Sequence, residues 1–203
     1  MLFRSQAPFR DLGLRPAMLL AGSSVEEAKA MIDRGVAADG TFPAGSAYLL
    51  STSDRARNKR AAQYGLALRQ ETPVHVRLIE ADELRDRTDV LFYFTGAAKV
   101  AGLETLRFLP GAIADHLTSA GGMLTGVGQM SILHWLEAGA TASYGTVVEP
   151  CNFPAKFPLP TMIIRRYTAG ETLLEAYWKS VAWPGQGVFV GEPLAAPFRA
   201  RSR

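Results

Sequence analysis

Hydrophobic and polar residues alternate along the chain in blocks that indicate strands separated by helices. Short apolar runs predict strands at residues 46–52 (SAYLLST), 74–80 (VHVRLIE) and 89–96 (DVLFYFTG). The third run is continuously apolar, as expected of a sheet that is covered on both faces. A later run, ATASYGTVV, predicts a further strand, and LPGAIADHLTS joins a turn to a helix or a strand. These blocks predict a layered sheet rather than a helical bundle.

Helical spacing of apolar residues predicts the segments between these strands. The first helix is predicted over residues 23–35, with serine caps, Val25 on its apolar stripe and Gly35 as its stop. A second helix is predicted over residues 53–70, with Ser53 or Asp54 as its cap and with a basic outer face. The remaining helix patterns are 129–139, closed by Gly139, and 172–183, which has an aromatic face.

Strands that alternate with helices of this length predict an α/β fold. We expect one domain over residues 1–203, with three layers and a mainly parallel central sheet covered by helices on both faces. The segment PAMLLAG is strand-like but comes almost at once, so we expect an N-terminally truncated chain that lacks a first strand. The basic end, residues 199–203, is predicted to be a disordered tail.

Composition and charge narrow the class of function. The formal net charge is only +3 and is partly carried by the C-terminal end, so we expect no nucleic-acid partner. No apolar run approaches the roughly 20 residues of a membrane span, and the first residues lack the apolar core of a secretory signal. A single cysteine excludes an internal disulfide and a zinc site built from cysteine pairs.

Common catalytic and cofactor motifs are absent from the sequence. The chain contains no GxGxxG, no GxxxxGK[ST] and no GxSxG, and we expect no cofactor. Ser119 and Ser143 lie near predicted strand ends without a motif that would activate them. His75 and His134 are interpreted as structural residues.

The only thiol of the chain, Cys151, lies in a proline-rich loop, EPCNFPAKFPLP. A nucleophilic thiolate needs a neighbouring base or cation, which His116 or His134 could supply and Glu149 or Asp115 could support. A free cysteine is also commonly a small buried hydrophobe, so both interpretations stay open. A metal site from the same acidic and histidine residues lacks the paired spacing that metals favour, and none is expected.

A resemblance to a bacterial family is carried by three stretches, which are AMLLAGSSVEEAKAMIDRGVAADGTFPAGSAYLLSTSD, DHLTSAGGML and the segment from EAGATASYGTVVEPCNFPAKFPLP to GVFVGEPLAAPF. Together they resemble a family found mainly in organisms with the exosortase/PEP-CTERM protein-sorting system. The resemblance covers about Leu14 to Phe198. The family has no established reaction, and its members are typically longer at the N-terminus. The resemblance implies a protein of the cell envelope, or a secreted one, if the full-length parent carries a leader.

The C-terminal half is also similar to the gingipain-type cysteine peptidases, which have the caspase-like α/β fold. The matching pieces are Gly139-Ala140, the strand 142–147, TLLEA at 172–176 and GEPL at 191–194. In those peptidases a histidine follows one strand in a Gly-His-Gly turn, and the nucleophilic cysteine ends the next strand. The corresponding stretches here, 95–97 (TGA) and 118–120 (TSA), contain neither residue.

The resemblance therefore implies a caspase-like scaffold without the catalytic dyad. We expect a non-catalytic, peptidase-like binding or accessory module with a protein or peptide partner. The alternative is a cysteine-dependent hydrolase with a rearranged site around Cys151 and His116. The candidate binding loop comprises Glu149, Cys151, Asn152, Phe153 and Lys156.

Overall fold

Strands and helices alternate around one central sheet. The computed structural model describes residues 8–125, 128–150 and 152–200. Within them the strands are β1 (Ser46–Ser51), β2 (His75–Glu80), β3 (Val90–Thr95), β4 (Phe108–His116), β5 (Ala142–Thr146) and β6 (Gly187–Gly191). The α-helices are α1 (Pro8–Leu12), α2 (Val25–Ala38), α3 (Leu133–Glu137), α4 (Pro160–Thr168) and α5 (Leu173–Ser180). A 3₁₀ helix occupies Asn58–Arg69, and shorter 3₁₀ turns occupy Leu103–Thr105, Pro154–Lys156 and Pro184–Gln186.

The sheet is mixed but mainly parallel, with the strand order β2-β1-β3-β4-β5-β6. The first five strands in this order pair in parallel, and β6 pairs with β5 in the antiparallel sense. The predicted strand at PAMLLAG is reduced to a single bridge between Leu19 and Val190. The predicted α/β class with a mainly parallel sheet is confirmed, and the caspase-like assignment stays a prediction.

Different helices cover the two faces of the sheet. On one face α2 and α3 supply Met31 and Trp135, and the indole of Trp135 meets the Tyr93 ring edge-on at 5.0 Å. On the other face the Asn58–Arg69 helix, α4 and α5 build a second core around Phe92 and Phe94. Because β3 is apolar throughout, it can contribute to both cores, and its six residues are all buried.

The N-terminal end of α2 follows the predicted cap, but its C-terminal end does not. Ser24 Oγ accepts a hydrogen bond from the backbone N–H of Glu27, as an N-cap serine does. The helix continues through Gly35 to Ala38, so Gly35 is not a stop. A Cβ at Gly35 would overlap the Glu192 side chain, so this glycine allows the helix to approach the chain beyond β6. Val25, predicted on the buried stripe, is exposed.

Three other predictions differ from the structure. The helix predicted over 129–139 is only α3, although Gly139 follows it with a positive φ of 110°. The helix α4 was not predicted, because two prolines precede its apolar residues. In the structure Pro160 occupies the first turn of this helix, where a backbone N–H would have no helical partner in any case. Arg199, placed in the predicted tail, donates to the Gly170 carbonyl at 2.8 Å, and residues 201–203 lie outside the described residues.

The predicted basic outer face of residues 53–70 contains one buried exception, Arg60. Its side chain is 1% exposed and forms an ion pair with Asp115 of β4, with Nη1 and Oδ1 2.6 Å apart. Arg60 also donates to the carbonyl oxygens of Thr95 and Pro158. The Tyr177 hydroxyl of α5 donates to the Asp115 carboxylate at 3.3 Å. A buried charge needs such a partner, since burial removes its hydration.

The ion pair should contribute strongly to stability. We expect Arg60→Met to lower the free energy of unfolding by about 3–5 kcal/mol, because it leaves the Asp115 carboxylate buried without its cation. Urea denaturation measures the change. Arg69→Met, which removes an exposed arginine from the same helix, is the matched control and should change stability by about 0.5 kcal/mol or less.

The double variant Arg60→Met/Asp115→Leu should recover most of that loss, because it leaves no unpaired charge. A loss below about 1 kcal/mol for Arg60→Met alone would contradict this role of the pair.

Candidate binding surface at the carboxyl edge of the sheet

The parallel strands β1, β3, β4 and β5 end at the same edge of the sheet, and their following loops meet there. Ligands of open α/β sheets bind at this carboxyl edge. Thr52 after β1 donates through Oγ1 to the Gly96 carbonyl after β3, at 2.7 Å. Thr146 at the end of β5 donates to the Thr118 carbonyl after β4, also at 2.7 Å. These hydrogen bonds hold the loops together in pairs.

Arg57 fills the space between the ends of β3 and β4. Its Nε donates to Thr118 Oγ1 at 3.0 Å, and its Nη1 donates to the Asp54 carboxylate at 2.9 Å. The Thr118 hydroxyl in turn donates to Gln129 Oε1 at 2.8 Å. The polar groups between these two strand ends therefore bind one another, which leaves the Thr118 hydroxyl no free hydrogen to donate.

Gly96 lies directly against the backbone of Arg57. A Cβ built at Gly96 would overlap the Arg57 carbonyl oxygen, so no side chain fits at this position without moving the backbone. The sequence resemblance predicts that this turn takes the place of the Gly-His-Gly turn of the gingipain-type peptidases.

A second close approach of glycines packs the loop after β4 onto β5. A Cβ at Gly122 would overlap the Gly145 carbonyl oxygen, and a Cβ at Gly187 would overlap the same oxygen. Glycine is needed here because three backbone segments are closer together than any side chain allows. The glycines of TSAGG thus serve packing against β5.

His116, the last residue of β4, is fully buried, and both of its ring nitrogens have partners. The indole N–H of Trp135 donates to Nδ1 at 2.9 Å. An indole nitrogen only donates, so the ring proton is on Nε2, which donates to the Met130 carbonyl at 3.1 Å. Burial lowers the pKa of His116 from 6.5 to about 3. The ring is neutral and has no free nitrogen with which to activate a thiol.

Asp115, its neighbour in β4, faces the opposite side of the sheet and is paired with Arg60. Burial raises the pKa of the Asp115 carboxyl, and the Arg60 guanidinium opposes that shift. The histidine and the carboxylate therefore do not combine into one site, because adjacent residues of a strand point to opposite faces.

The candidate binding loop after β5 is partly exposed. Glu149 and Asn152 are exposed, and Phe153 is 45% exposed. Cys151 lies outside the described residues. Lys156, by contrast, is buried, and its Nζ donates to the Val148 carbonyl at 2.9 Å. Lys156 thus ties the loop to itself instead of pointing toward a ligand.

Phe153 is part of an exposed apolar patch, which we call the edge patch. Its ring lies 5.9 Å from the ring of Trp183, which precedes β6 and is 48% exposed. The backbone N–H of Trp183 donates to the Ala155 carbonyl at 2.9 Å, which joins the two loops. Val147 and Val148 after β5 are exposed, and the backbone N–H of Val147 donates to the carbonyl of Gln186, in the turn that follows Trp183. The edge patch comprises Val147, Val148, Phe153 and Trp183. Exposed aromatic residues in a cluster are typical of protein interaction sites.

An apolar cavity of about 260 Å³ adjoins the edge patch, and we call it the loop cavity. It lies between the proline-rich loop, the Asn58–Arg69 helix and the ends of α4 and α5. Its lining is Gln63, Pro154, Ala155, Phe157, Leu159, Met162, Lys179, Ser180 and Ala182.

A larger groove, of about 850 Å³, lies beside α3. It contains the pair His134 Nδ1 and Glu137 Oε2, which are 2.7 Å apart, together with Lys99. No serine, threonine or cysteine lines it among the described residues, so the His134–Glu137 pair has no nucleophile to activate there.

Neither a metal site nor a membrane span is found in the part of the chain that the structure describes. No group of three or more histidine, cysteine, aspartate or glutamate residues there could hold a metal ion. No helix there is long and apolar enough to cross a membrane.

Comparison of the chain with protein-family models, curated proteins and solved structures found no match. The family resemblances therefore stay predictions from sequence motifs.

The edge patch and the Arg57 network contain residues that sequence reasoning missed. Trp183 was included in the predicted helix 172–183, whereas α5 ends at Ser180 and Trp183 lies in the following loop. Arg57 was interpreted only as part of a basic face. Nothing in the sequence indicates that its carbonyl and guanidinium close the end of β3.

The variant Gly96→Ala tests whether the turn after β3 has room for a side chain. We expect a loss of about 1–3 kcal/mol in the free energy of unfolding, because the added methyl group overlaps the Arg57 carbonyl. Gly65→Ala is the matched control: a Cβ there meets open space, and the helix should gain up to about 1 kcal/mol. Thermal and urea denaturation measure both. Equal stability of the two variants would show that the turn has room for a side chain.

The burial of His116 makes stability depend on pH. The unfolded chain takes up a proton near pH 6.5, whereas the folded chain does so only near pH 3, so this contribution is lost as the pH falls. Between pH 7.5 and 5.5 we expect a loss of about 1.4 kcal/mol from this residue.

Urea denaturation at the two pH values measures that loss. His116→Gln should reduce the pH dependence by that amount. If His116→Gln does not fold, nitrogen NMR shifts of the wild-type ring serve instead. A His116 ring that gains charge near pH 6.5 in the folded protein would refute the assignment.

Proposed function

We propose that this protein is a non-catalytic, peptidase-like module of the bacterial cell envelope that binds a protein or peptide at the carboxyl edge of its sheet. The observation that carries the proposal is the contrast between the hydrogen-bonded polar part of this edge and its exposed aromatic part. The polar groups between β3 and β4 are bound to one another, whereas Phe153 and Trp183 are exposed beside an apolar cavity.

The stretches that correspond to the peptidase dyad support the absence of catalysis. Gly96 has no room for a side chain, and Thr118 is hydrogen-bonded to Arg57 and Gln129. A mainly parallel sheet with an antiparallel edge strand is compatible with a peptidase-like scaffold. The cell-envelope part of the proposal rests on the sequence resemblance alone.

The competing hypothesis, a cysteine-dependent hydrolase around Cys151 and His116, gains no support from the described residues. His116 is fully buried and both of its ring nitrogens are hydrogen-bonded, so it has no free nitrogen that could accept a proton from a thiol. Glu149 is exposed, but a carboxylate alone is a weak activator of a thiol at neutral pH.

Two measurements test the proposed function. Incubation with a broad fluorogenic peptide library should give no turnover. Selection of a displayed random-peptide library should enrich binders, and Phe153→Ala/Trp183→Ala should weaken them by about tenfold or more, because buried aromatic residues carry much of the energy of such interfaces. The control Leu78→Ala removes an exposed apolar side chain from β2, at the opposite end of the sheet.

Turnover that a single side-chain substitution abolishes would overturn the non-catalytic part of the proposal. Fast labelling of Cys151 by iodoacetamide near neutral pH, lost in His116→Gln, would favour the hydrolase instead. Failure to select any peptide would refute the binding part.

A further inference from the structure

The loop cavity has a rim of positive charge. Met162 of α4 lines the cavity, and its Sδ is 3.5 Å from Arg165 Nη2 and 3.3 Å from Arg166 Nε. Lys179 of α5 lines the cavity directly. Three cationic side chains are thus placed at or beside one small apolar cavity.

The carboxylate of Glu171 pairs with two of these cations. Its Oε1 is 2.7 Å from Arg166 Nη1, and its Oε2 is 3.2 Å from Lys179 Nζ. Glu175, one turn before Lys179, caps the start of α5, lies 3.6 Å from Arg199 and also attracts Lys179 electrostatically. Among the described residues, Arg165 has no carboxylate partner, and it is exposed. The rim therefore carries excess positive charge, centred on Arg165.

The size of the cavity limits what can enter it. Small-molecule sites usually enclose about 300–1,000 Å³, whereas this cavity has about 260 Å³. Its walls are mostly apolar, with Pro154, Ala155, Phe157 and Met162 among them. A single apolar side chain of a polypeptide suits this space better than a whole small molecule, and the neighbouring edge patch could contact the rest of the segment.

We propose that the loop cavity binds a peptide segment in which an apolar side chain is next to a carboxylate. The apolar side chain enters the cavity, and the Arg165 guanidinium binds the carboxylate through two N–H donors, as arginine–carboxylate pairs do. This inference rests on the proposed binding function and specifies the chemistry of its ligand.

The rim charge argues against two other occupants. A basic segment would be repelled by the same three cations. A second copy of this chain, related by a twofold axis, would bring an identical positive rim against this one, because the same patch serves both partners of such an interface. An acidic, apolar segment is the occupant that complements both the cavity and its rim.

Fluorescence anisotropy with labelled hexapeptides tests the inference. The first probe has a leucine followed by a glutamate between glycine and serine residues, and its matched partners replace glutamate by glutamine, glutamate by lysine, or leucine by alanine. We expect each replacement to weaken binding by at least about threefold. A longer acidic peptide, selected from the displayed random-peptide library, serves as a reference ligand with higher affinity.

Variants of the chain locate the effect. Arg165→Glu should weaken binding of the glutamate peptide by about tenfold and improve binding of the lysine peptide, because it reverses the rim charge. Lys29→Glu, an exposed lysine on α2 at the opposite face of the sheet, changes the net charge equally and should have no effect. Met162→Trp should fill the cavity and abolish the preference for leucine. If that variant unfolds, Ala182→Met fills the cavity from its other wall.

The outcomes separate the two proposals. Peptides that bind and depend on Phe153 and Trp183, but without preference for an acidic residue and without effect of Arg165→Glu, would overturn this inference and leave the proposed function standing. Failure of every peptide to bind would refute both. Sedimentation that shows a dimer, lost in Met162→Trp, would identify a second copy as the occupant and refute the inference.

Discussion

The buried ion pair between Arg60 and Asp115 is the interaction on which the arrangement of this protein depends. A guanidinium inside a protein needs acceptors, and the two terminal nitrogens of Arg60 find them in β3, in β4 and at Pro158 in the loop after β5. The rings of Phe94 and Phe157 lie 5.2 and 5.9 Å from its charged carbon. One side chain thereby fixes the relative positions of a helix, two strands and the loop that forms the candidate site.

The carboxyl edge of the sheet has two different halves. Between β3 and β4, where α/β enzymes often have reactive groups, Arg57, Thr118 and Gln129 satisfy one another. Beside β5 and β6, the loop tied down by Lys156 presents Phe153 next to Trp183. In the first half, the polar groups are held in place by their hydrogen bonds to one another. In the second half, the exposed aromatic rings form a surface that can lose water on contact with a partner. The contrast favours binding over catalysis.

The candidate site was only partly predictable. The proline content of residues 149–160 correctly marks an irregular loop, and the absence of a histidine at 95–97 is visible in the sequence. The role of His116 was not predictable, because its Trp135 partner is 19 residues away and meets it only when α3 packs on β4. Lys156 looked like a ligand-binding cation for a similar reason: a carbonyl at Val148 becomes its acceptor only after the loop closes.

By itself, the sequence determined the α/β class, the burial of β3, the N-terminal cap of α2 and the irregular loop after β5. These features follow from local rules, namely the spacing of apolar residues and the chemistry of the residues at helix ends. Only the tertiary structure decided that Arg60 is buried, that Gly96 has no room for a side chain and that Arg165 lies beside Met162, which lines an apolar cavity. Each of these three features depends on contacts between residues that are far apart in the chain. No local pattern encodes which of several similar arginines or glycines will make such a contact.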